Sequence, residues 1–185
     1  MWEEYSINLT GKNKISLALN KDRVIALIQS LEQEPSLLNK AIVTLLLYTG
    51  VRLDELLSLK RKDIAKCTHL IALRVVSPKG VVRMIPLHTN ASRILNDYLN
   101  GRDDSNEYLF VKNGKKALGL RQLQGILAMY QVNSQQLRQT FVSELIRLNY
   151  TMLEISGLMY GNEAIVKNLD SLYNDIYNSM HAVKK

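Results

Sequence analysis

Apolar residues return at helical spacing in the first third of the chain. Between Asn20 and Leu31 they recur every three or four positions, which predicts an amphipathic helix that begins at an Asn suited to capping. The segment from Leu37 to Tyr48 is apolar nearly all round, as expected of a buried helix. Gly50 follows it and can adopt the left-handed conformation that ends a helix. A further helix is predicted immediately afterwards, carrying Arg52 and Glu55.

From Leu70 to Leu87 this pattern gives way to β-branched residues in alternation. They flank residues 77–80, Ser-Pro-Lys-Gly, so the region predicts a β-hairpin with a tight turn and a lysine at its tip. The short apolar piece from Tyr108 to Phe110 is a candidate strand, and a polar turn from Lys112 to Lys116 follows it.

Helical spacing returns in the remaining segments. Asn133, with a Gln three residues later, matches a capping box and predicts the start of one of these helices. The others are predicted over Ala91 to Leu99, Leu120 to Tyr130, Met152 to Met159 and Ala164 to Met180. Helices, one hairpin and then helices predict a mainly α domain with a small antiparallel β-sheet, of the α+β class.

Length and composition fit one intracellular globular domain. The chain has 185 residues, 46% of them hydrophobic and 22% charged. Its longest apolar run, Ala41 to Tyr48, is too short to cross a membrane, and the first residues do not resemble a secretory signal, so a cytoplasmic protein without a membrane partner is expected. The single Cys67 excludes an internal disulfide, and the three histidines lack zinc-site spacing, so no metal is expected.

The charge balance is compatible with a partner that carries phosphates. Lys and Arg number 24 against 17 Asp and Glu, which gives a formal net charge of +7. Many basic proteins bind nothing acidic, so the charge indicates nucleic-acid binding only together with motifs.

The break between the buried helix and the next one carries the first candidate chemistry. Arg52 opens the new helix, where its guanidinium and the free backbone N–H groups can face one phosphate. Glu55 lies one turn further on the same face and could hold that guanidinium in position. By spacing alone, an ordinary surface ion pair on a helix is the favoured interpretation.

This segment resembles the first arginine motif of the tyrosine recombinases of the phage integrase type. In that family an apolar helix is followed by Thr-Gly-x-Arg-x-x-Glu-Leu and then Leu-x-x-x-Asp-Ile. The positions in register are Thr49, Gly50, Arg52, Glu55, Leu56, Leu59, Asp63 and Ile64.

Two further landmarks of the family follow in order. Its catalytic lysine, in a Lys-Gly hairpin turn before Arg-x-x-Pro-Leu, corresponds to Lys79, which would otherwise be read as an ordinary solvated lysine. Its second arginine motif, His-x-Leu-Arg-His-x-Phe, corresponds to residues 135–141, with Arg138 as the arginine and Gln135 in place of the histidine. A glutamine can hydrogen-bond a phosphate oxygen but cannot exchange a proton near neutral pH.

The last landmarks are a Leu-Leu-Gly-His turn and a nucleophilic tyrosine. Residues 158–162 look like that turn, and its histidine position falls on Gly161 without gaps or on Asn162 with a shift of one residue. Counted without gaps, the nucleophile position falls on Asp170, so a slightly longer connection is needed to reach Tyr173, with Tyr177 as the alternative.

The resemblance implies a metal-free and cofactor-free reaction on double-stranded DNA. A tyrosine hydroxyl attacks a phosphodiester to give a 3′-phosphotyrosine and a free 5′-hydroxyl, which later attacks the partner strand. Arg52 and Arg138 would clamp the phosphate, and Lys79 would protonate the departing oxygen, while Glu55, Gln135 and Asn162 would complete the site around Tyr173.

The resemblance also implies the integrase catalytic-domain fold, a tetramer on DNA and association with the nucleoid. We expect a short extension over residues 1–14, the catalytic domain over residues 15–177 and a tail over residues 178–185. Two other functions stay open from the sequence: a catalytically degenerate member that binds DNA as a regulatory factor, and an unrelated basic helical module.

Overall fold

The computed structural model describes four parts of the chain: residues 18–66, 71–112, 116–161, and the helical residues Asn178, Met180 and His181. The helices are α1 (Lys21–Glu32), α2 (Leu37–Thr49), α3 (Leu53–Ser58), α4 (Thr89–Asn100), α5 (Leu120–Met129), α6 (Ser134–Arg147) and α7 (Met152–Tyr160). The strands are β1 (Ile64–Lys66), β2 (Ile71–Val76), β3 (Val82–Leu87), β4 (Val111–Lys112) and β5 (Lys116–Ala117).

Helix α2 is the centre of the core. Its residues from Ala41 to Thr49 are all buried, and it packs against α1, α4 and α6. Ser36 accepts a hydrogen bond from the amide of Asn39 at its start, and Gly50 ends it in the left-handed conformation, with φ of 59°. The all-round apolar pattern therefore predicted the burial of this helix, and Gly50 predicted its end.

The predicted hairpin is formed by β2 and β3, with Lys79 at its tip. The amide of Gly80 donates to the carbonyl of Ser77 at 2.8 Å, and the amide of Ser77 donates to the carbonyl of Val81 at 2.8 Å. Gly80 has φ of 79°, so this is a tight turn that closes through a left-handed glycine. A third antiparallel strand, β1, pairs with β2 and completes a sheet of order β1-β2-β3.

The candidate strand from Tyr108 to Phe110 does not form, which corrects the sequence-based prediction. Tyr108 forms an isolated bridge with Lys60, and regular pairing begins only at Val111, where β4 meets β5 in a second small sheet. The physical reason is Arg102, whose guanidinium takes the carbonyls of Tyr108 and Leu109 at 2.9 and 2.7 Å. Carbonyls bound in this way are withdrawn from a strand ladder.

The predicted class, mainly α with a small antiparallel β-sheet, is confirmed. The caps predicted at Asn20 and Asn133 are also present, each accepting a hydrogen bond from an amide of the first helical turn. Among the described helices, none combines the length and the apolar character that a membrane crossing requires.

Candidate active site

The turn between α2 and α3 is held tightly against the last helices of the described chain. A Cβ atom at Gly50 would lie 2.7 Å from Cδ1 of Phe141 on α6 and 3.2 Å from Cε of Met159 on α7. A glycine is therefore required both for the left-handed backbone and for the close contact. Arg52 follows as the exposed residue that precedes α3.

Glu55 anchors α3 to the sheet through a buried ion pair. The guanidinium of Arg83 donates to both carboxylate oxygens of Glu55, at 2.7 and 2.8 Å, and the two side chains are only 3% and 2% exposed. The backbone amide of Arg52 donates to the same carboxylate at 2.8 Å. This corrects the expected role of Glu55, because the guanidinium that it binds is that of Arg83 rather than that of Arg52.

The environment of Glu55 favours its charged form. Burial alone would raise the pKa of this carboxyl, but the hydrogen bonds from Arg83 and from the Arg52 amide, with the charges of Arg83 and Arg138, lower the pKa below its ordinary value. Glu55 is therefore an ionised anchor and not a proton donor.

Arg138 reaches the same place from α6. Its Nη1 donates to the carbonyl of Gly50, whereas its Nη2 is buried and has no hydrogen-bond partner among the described residues. Burial lowers the pKa of this guanidinium, and the nearby charge of Arg52 acts in the same direction, while the Tyr160 hydroxyl and Glu55 oppose both. An arginine stays protonated under such shifts, so the site holds a half-buried cation, one of whose amino groups has no partner among the described residues.

The cluster carries more positive than negative charge. The charges of Arg83 and Arg138 lower the pKa of Glu55, and the charge of Arg52 lowers that of Arg138. Arg83 binds both oxygens of the Glu55 carboxylate. Arg52 and Arg138 repel each other unless an anion lies between them. A phosphate diester, with two charged non-bridging oxygens, matches two neighbouring guanidinium groups.

Two more predicted site residues lie at exposed positions on the hairpin and on α6, which also carry Arg83 and Arg138. Lys79 lies at the exposed tip of the β2–β3 hairpin, and Arg83, in the second residue pair from that tip, binds Glu55. Gln135 is exposed in the first turn of α6, one turn before Arg138 on the same side of the helix. Asn162, Tyr173 and the alternative Tyr177 lie outside the described residues.

The end of α7 packs directly on the start of β3. Gly161 has φ of 90°, and a Cβ atom there would lie 2.8 Å from Cγ1 of Val81 and 3.1 Å from the carbonyl oxygen of Val82. This contact joins the helix that ends beside Arg138 to the strand that carries Arg83. The site is thus enclosed by α3, α6, α7 and the hairpin.

We expect Gly161→Ala to destabilise the protein by about 1–3 kcal/mol, because an L-residue is strained at this φ and Val82 contributes rigid backbone to the clash. The midpoint of urea unfolding measures the effect. Gly125→Ala is the matched control: Gly125 lies within α5 with nothing within 4 Å of the added Cβ, so this change should stabilise by about 0.5–1 kcal/mol. Equal effects of the two changes would contradict the packing role of Gly161.

Sequence reasoning gave no site role to Arg83 or Tyr160. Arg83 lies on the same inward-facing side of β3 as Ile85 and Leu87. A buried arginine requires a carboxylate partner. The alternation of this strand therefore contains a signal for a buried ion pair at Arg83. Tyr160 carries no such signal, because its place beside Arg138 depends on how α7 packs against α6. No three His, Cys, Asp or Glu side chains of the described ranges lie close enough together to hold a metal ion.

Comparison with known proteins places the chain in one family. The sequence model of the phage integrase family matches residues 18–158. TnP I resolvase of Bacillus thuringiensis is 29% identical over 137 residues, which are 70% of this chain and 48% of that protein. A tyrosine recombinase of Thermosipho africanus is 36% identical over 107 residues, covering 57% and 36% of the two chains.

Solved structures show the same fold. The crystal structure of XerA recombinase superposes with a TM-score of 0.68 at 24% identity, covering 96% of this chain and 69% of that one. The Tn1549 transposon integrase in complex with transposon right end DNA gives a TM-score of 0.69 at 15% identity, covering 100% and 66%. These likenesses confirm the predicted recombinase catalytic-domain fold.

The chain spans about half the length or less of these curated relatives, 48% of the resolvase and 36% of the Thermosipho recombinase. The match of the family model nevertheless covers most of the chain, and the arginine motifs from which the family was predicted both lie within it. The chain belongs to the phage integrase family.

Proposed function

We propose that this protein is a site-specific recombinase that cuts and rejoins double-stranded DNA through a 3′-phosphotyrosine intermediate. The observation that carries the proposal is that Arg138 reaches the turn that leads to Arg52: its Nη1 donates to the carbonyl of Gly50, while the nearby carboxylate of Glu55 is bound through both oxygens to Arg83. The charge of Arg52 also acts on this guanidinium. Such an arrangement of cations attracts an anion. The proposal is also supported by relatives that are named resolvase and tyrosine recombinase and by similar structures that hold DNA.

In the proposed reaction the two arginines bind the non-bridging oxygens and stabilise the charge that builds on them during phosphoryl transfer. The phenol oxygen of Tyr173 attacks phosphorus and releases its proton to water, and the bond from phosphorus to the 5′-oxygen breaks. Lys79 gives its proton to the departing oxygen, and Gln135 and Asn162 donate hydrogen bonds to the phosphate. A 5′-hydroxyl then attacks the phosphotyrosine and returns a proton to Lys79, while the departing phenolate takes a proton from water, so the phenol is restored without a metal or a nucleotide cofactor.

Recombination joins two duplexes, so the proposal includes a homotetramer on DNA within the cytoplasm, associated with the nucleoid. It assigns the catalytic domain to residues 15–177, flanked by an extension over residues 1–14 and a tail over residues 178–185.

A covalent adduct on nicked DNA tests this proposal. The protein first selects a binding site from random-sequence duplexes, and that site is then made as a set of suicide substrates with a nick beside each successive phosphate. We expect a denaturation-resistant adduct with a subset of the nicks, and mass spectrometry of the adduct peptide is expected to find the nucleotide on Tyr173.

Two results would contradict the proposal in different ways. Absence of an adduct with every nick, on DNA that the protein binds tightly, would replace the enzyme by a regulatory DNA-binding protein. An adduct on Tyr177 or another residue would support the proposed activity but contradict the assignment of Tyr173 as the nucleophile.

A further inference from the structure

Tyr160 is the last residue of α7 and lies beside the guanidinium of Arg138. The centre of its ring is 5.6 Å from Cζ of Arg138, within the range of a cation–π interaction. Its side chain is 45% exposed, so it is not a core residue. Gly161 follows in the left-handed conformation and fixes the end of the helix against β3.

The ring of Tyr160 and the carbonyl of Gly50 both act on the same guanidinium. Nη1 of Arg138 is bound to that carbonyl, and Nη2 is buried without a hydrogen-bond partner in the part of the chain that the structure describes. A guanidinium with one bonded amino group can still turn about its bonds, and turning would move the unused donor. An aromatic ring against the guanidinium resists that motion, because it favours one orientation of the planar group.

We propose that Tyr160 is a positioning residue that holds the Arg138 guanidinium in the orientation in which it can bind the DNA phosphate. This inference rests on the proposed function, and it adds a residue that the arginine and lysine motifs do not contain. The hydroxyl of Tyr160 also acts on this guanidinium, and we assign the positioning to the ring. Tyr160→Phe keeps the ring and removes the hydroxyl, whereas Tyr160→Leu removes the ring and keeps an apolar side chain.

A purely structural role predicts a different result from a positioning role. If Tyr160 only stabilised the fold, its loss would act equally whether or not Arg138 is present. If it acts through the guanidinium, its loss has no further effect once the guanidinium is gone, since the effects of two coupled residues are not additive.

The rate constant of adduct formation on the suicide substrate distinguishes the two roles. We expect Tyr160→Leu to lower it about 10-fold, the change that corresponds to roughly 1.4 kcal/mol, and Tyr160→Phe to stay within about threefold of the wild type. In an Arg138→Ala background we expect Tyr160→Leu to have no further effect. A wild-type rate in Tyr160→Leu, or the same loss in both backgrounds, would overturn the inference.

Tyr108 supplies the matched control. Nζ of Lys60 lies 5.5 Å from the centre of the Tyr108 ring, so Tyr108→Leu removes a cation–π pair of similar geometry that involves neither Arg52 nor Arg138. We expect its adduct rate to stay within about twofold of the wild type. A loss as large as that of Tyr160→Leu would mean that removing any such pair slows the reaction, and would count against a positioning role.

A second measurement does not depend on catalysis. Nuclear magnetic resonance of the protein labelled with ¹⁵N-arginine reports how fast the Arg138 guanidinium rotates about its Nε–Cζ bond. We expect rotation at least threefold faster in Tyr160→Leu than in the wild type and little changed in Tyr160→Phe. If the wild type forms no adduct, the proposed function fails, and the rotation rate alone decides the inference. Unchanged rotation in Tyr160→Leu would overturn it. Faster rotation would support the conclusion that the Tyr160 ring restrains the Arg138 guanidinium.

Discussion

Arg52→Ala is expected to slow formation of the covalent DNA adduct by about 10²- to 10³-fold while leaving the protein folded. Removing one preorganised donor from a site where charge develops costs about 3–4 kcal/mol of transition-state stabilisation. Arg52 is exposed, and it is its backbone amide, not its guanidinium, that binds Glu55. The side chain can therefore be removed without breaking the bond that anchors α3.

Three measurements on the same variant separate catalysis from binding and folding. The adduct rate should fall as stated, the affinity for the selected duplex should stay within a few-fold, and the free energy of unfolding should change by less than about 0.5 kcal/mol. The affinity for DNA should change little because many contacts to the DNA backbone contribute to it. A large loss of affinity together with a normal adduct rate would contradict the role of Arg52 at the phosphate.

Arg147→Ala is the matched control for this prediction. Arg147 is an exposed arginine at the end of α6, where it pairs with Glu144 at 2.9 Å on the surface. Its loss removes the same net charge from the chain as Arg52→Ala. Exposed pairs of this kind contribute about 0–1 kcal/mol, so both the stability and the adduct rate should stay close to those of the wild type.

Local sequence signals predicted the elements that carry the arginines. The apolar run of α2, its glycine cap and the helix that begins after Arg52 depend on contacts within a few residues, as does the Ser-Pro-Lys-Gly turn that puts Lys79 at a hairpin tip. Patterns of this range can be read from one sequence. The meeting of Arg52 with Arg138 was predicted only through the family resemblance, because these residues are distant in the chain.

What the sequence did not predict depends on packing between distant elements. Glu55 was paired with its near neighbour Arg52, but the guanidinium that reaches its buried carboxylate is that of Arg83, on a strand 28 residues away. Arg102 binds the carbonyls of Tyr108 and Leu109, and so prevents a strand that local β-propensity favours. In both places a side chain from another part of the chain decides the outcome.

The largest change in stability is expected at the buried ion pair between Arg83 and Glu55. Arg83→Met is expected to lower the free energy of unfolding by about 3–5 kcal/mol, because it leaves the carboxylate of Glu55 buried without its ionic partner. Glu55→Gln in the same chain should recover part of the loss, since an amide keeps an acceptor for the Arg52 amide without a charge. Urea unfolding at pH 7 measures all three proteins.

The dependence of this loss on pH distinguishes an unpaired charge from a simple packing defect. In the wild type the pKa of Glu55 lies below its ordinary value of 4.5, so its charged form stabilises the fold above that pH, and this stability is lost as the pH falls through the folded pKa. In Arg83→Met, burial acts without the guanidinium and should raise the pKa of Glu55, so the variant recovers stability as the carboxyl gains its proton. We therefore expect the gap between wild type and variant to narrow from pH 7 to pH 4. A packing defect would keep the gap constant, and a constant gap would show that Arg83 contributes shape rather than charge to the site.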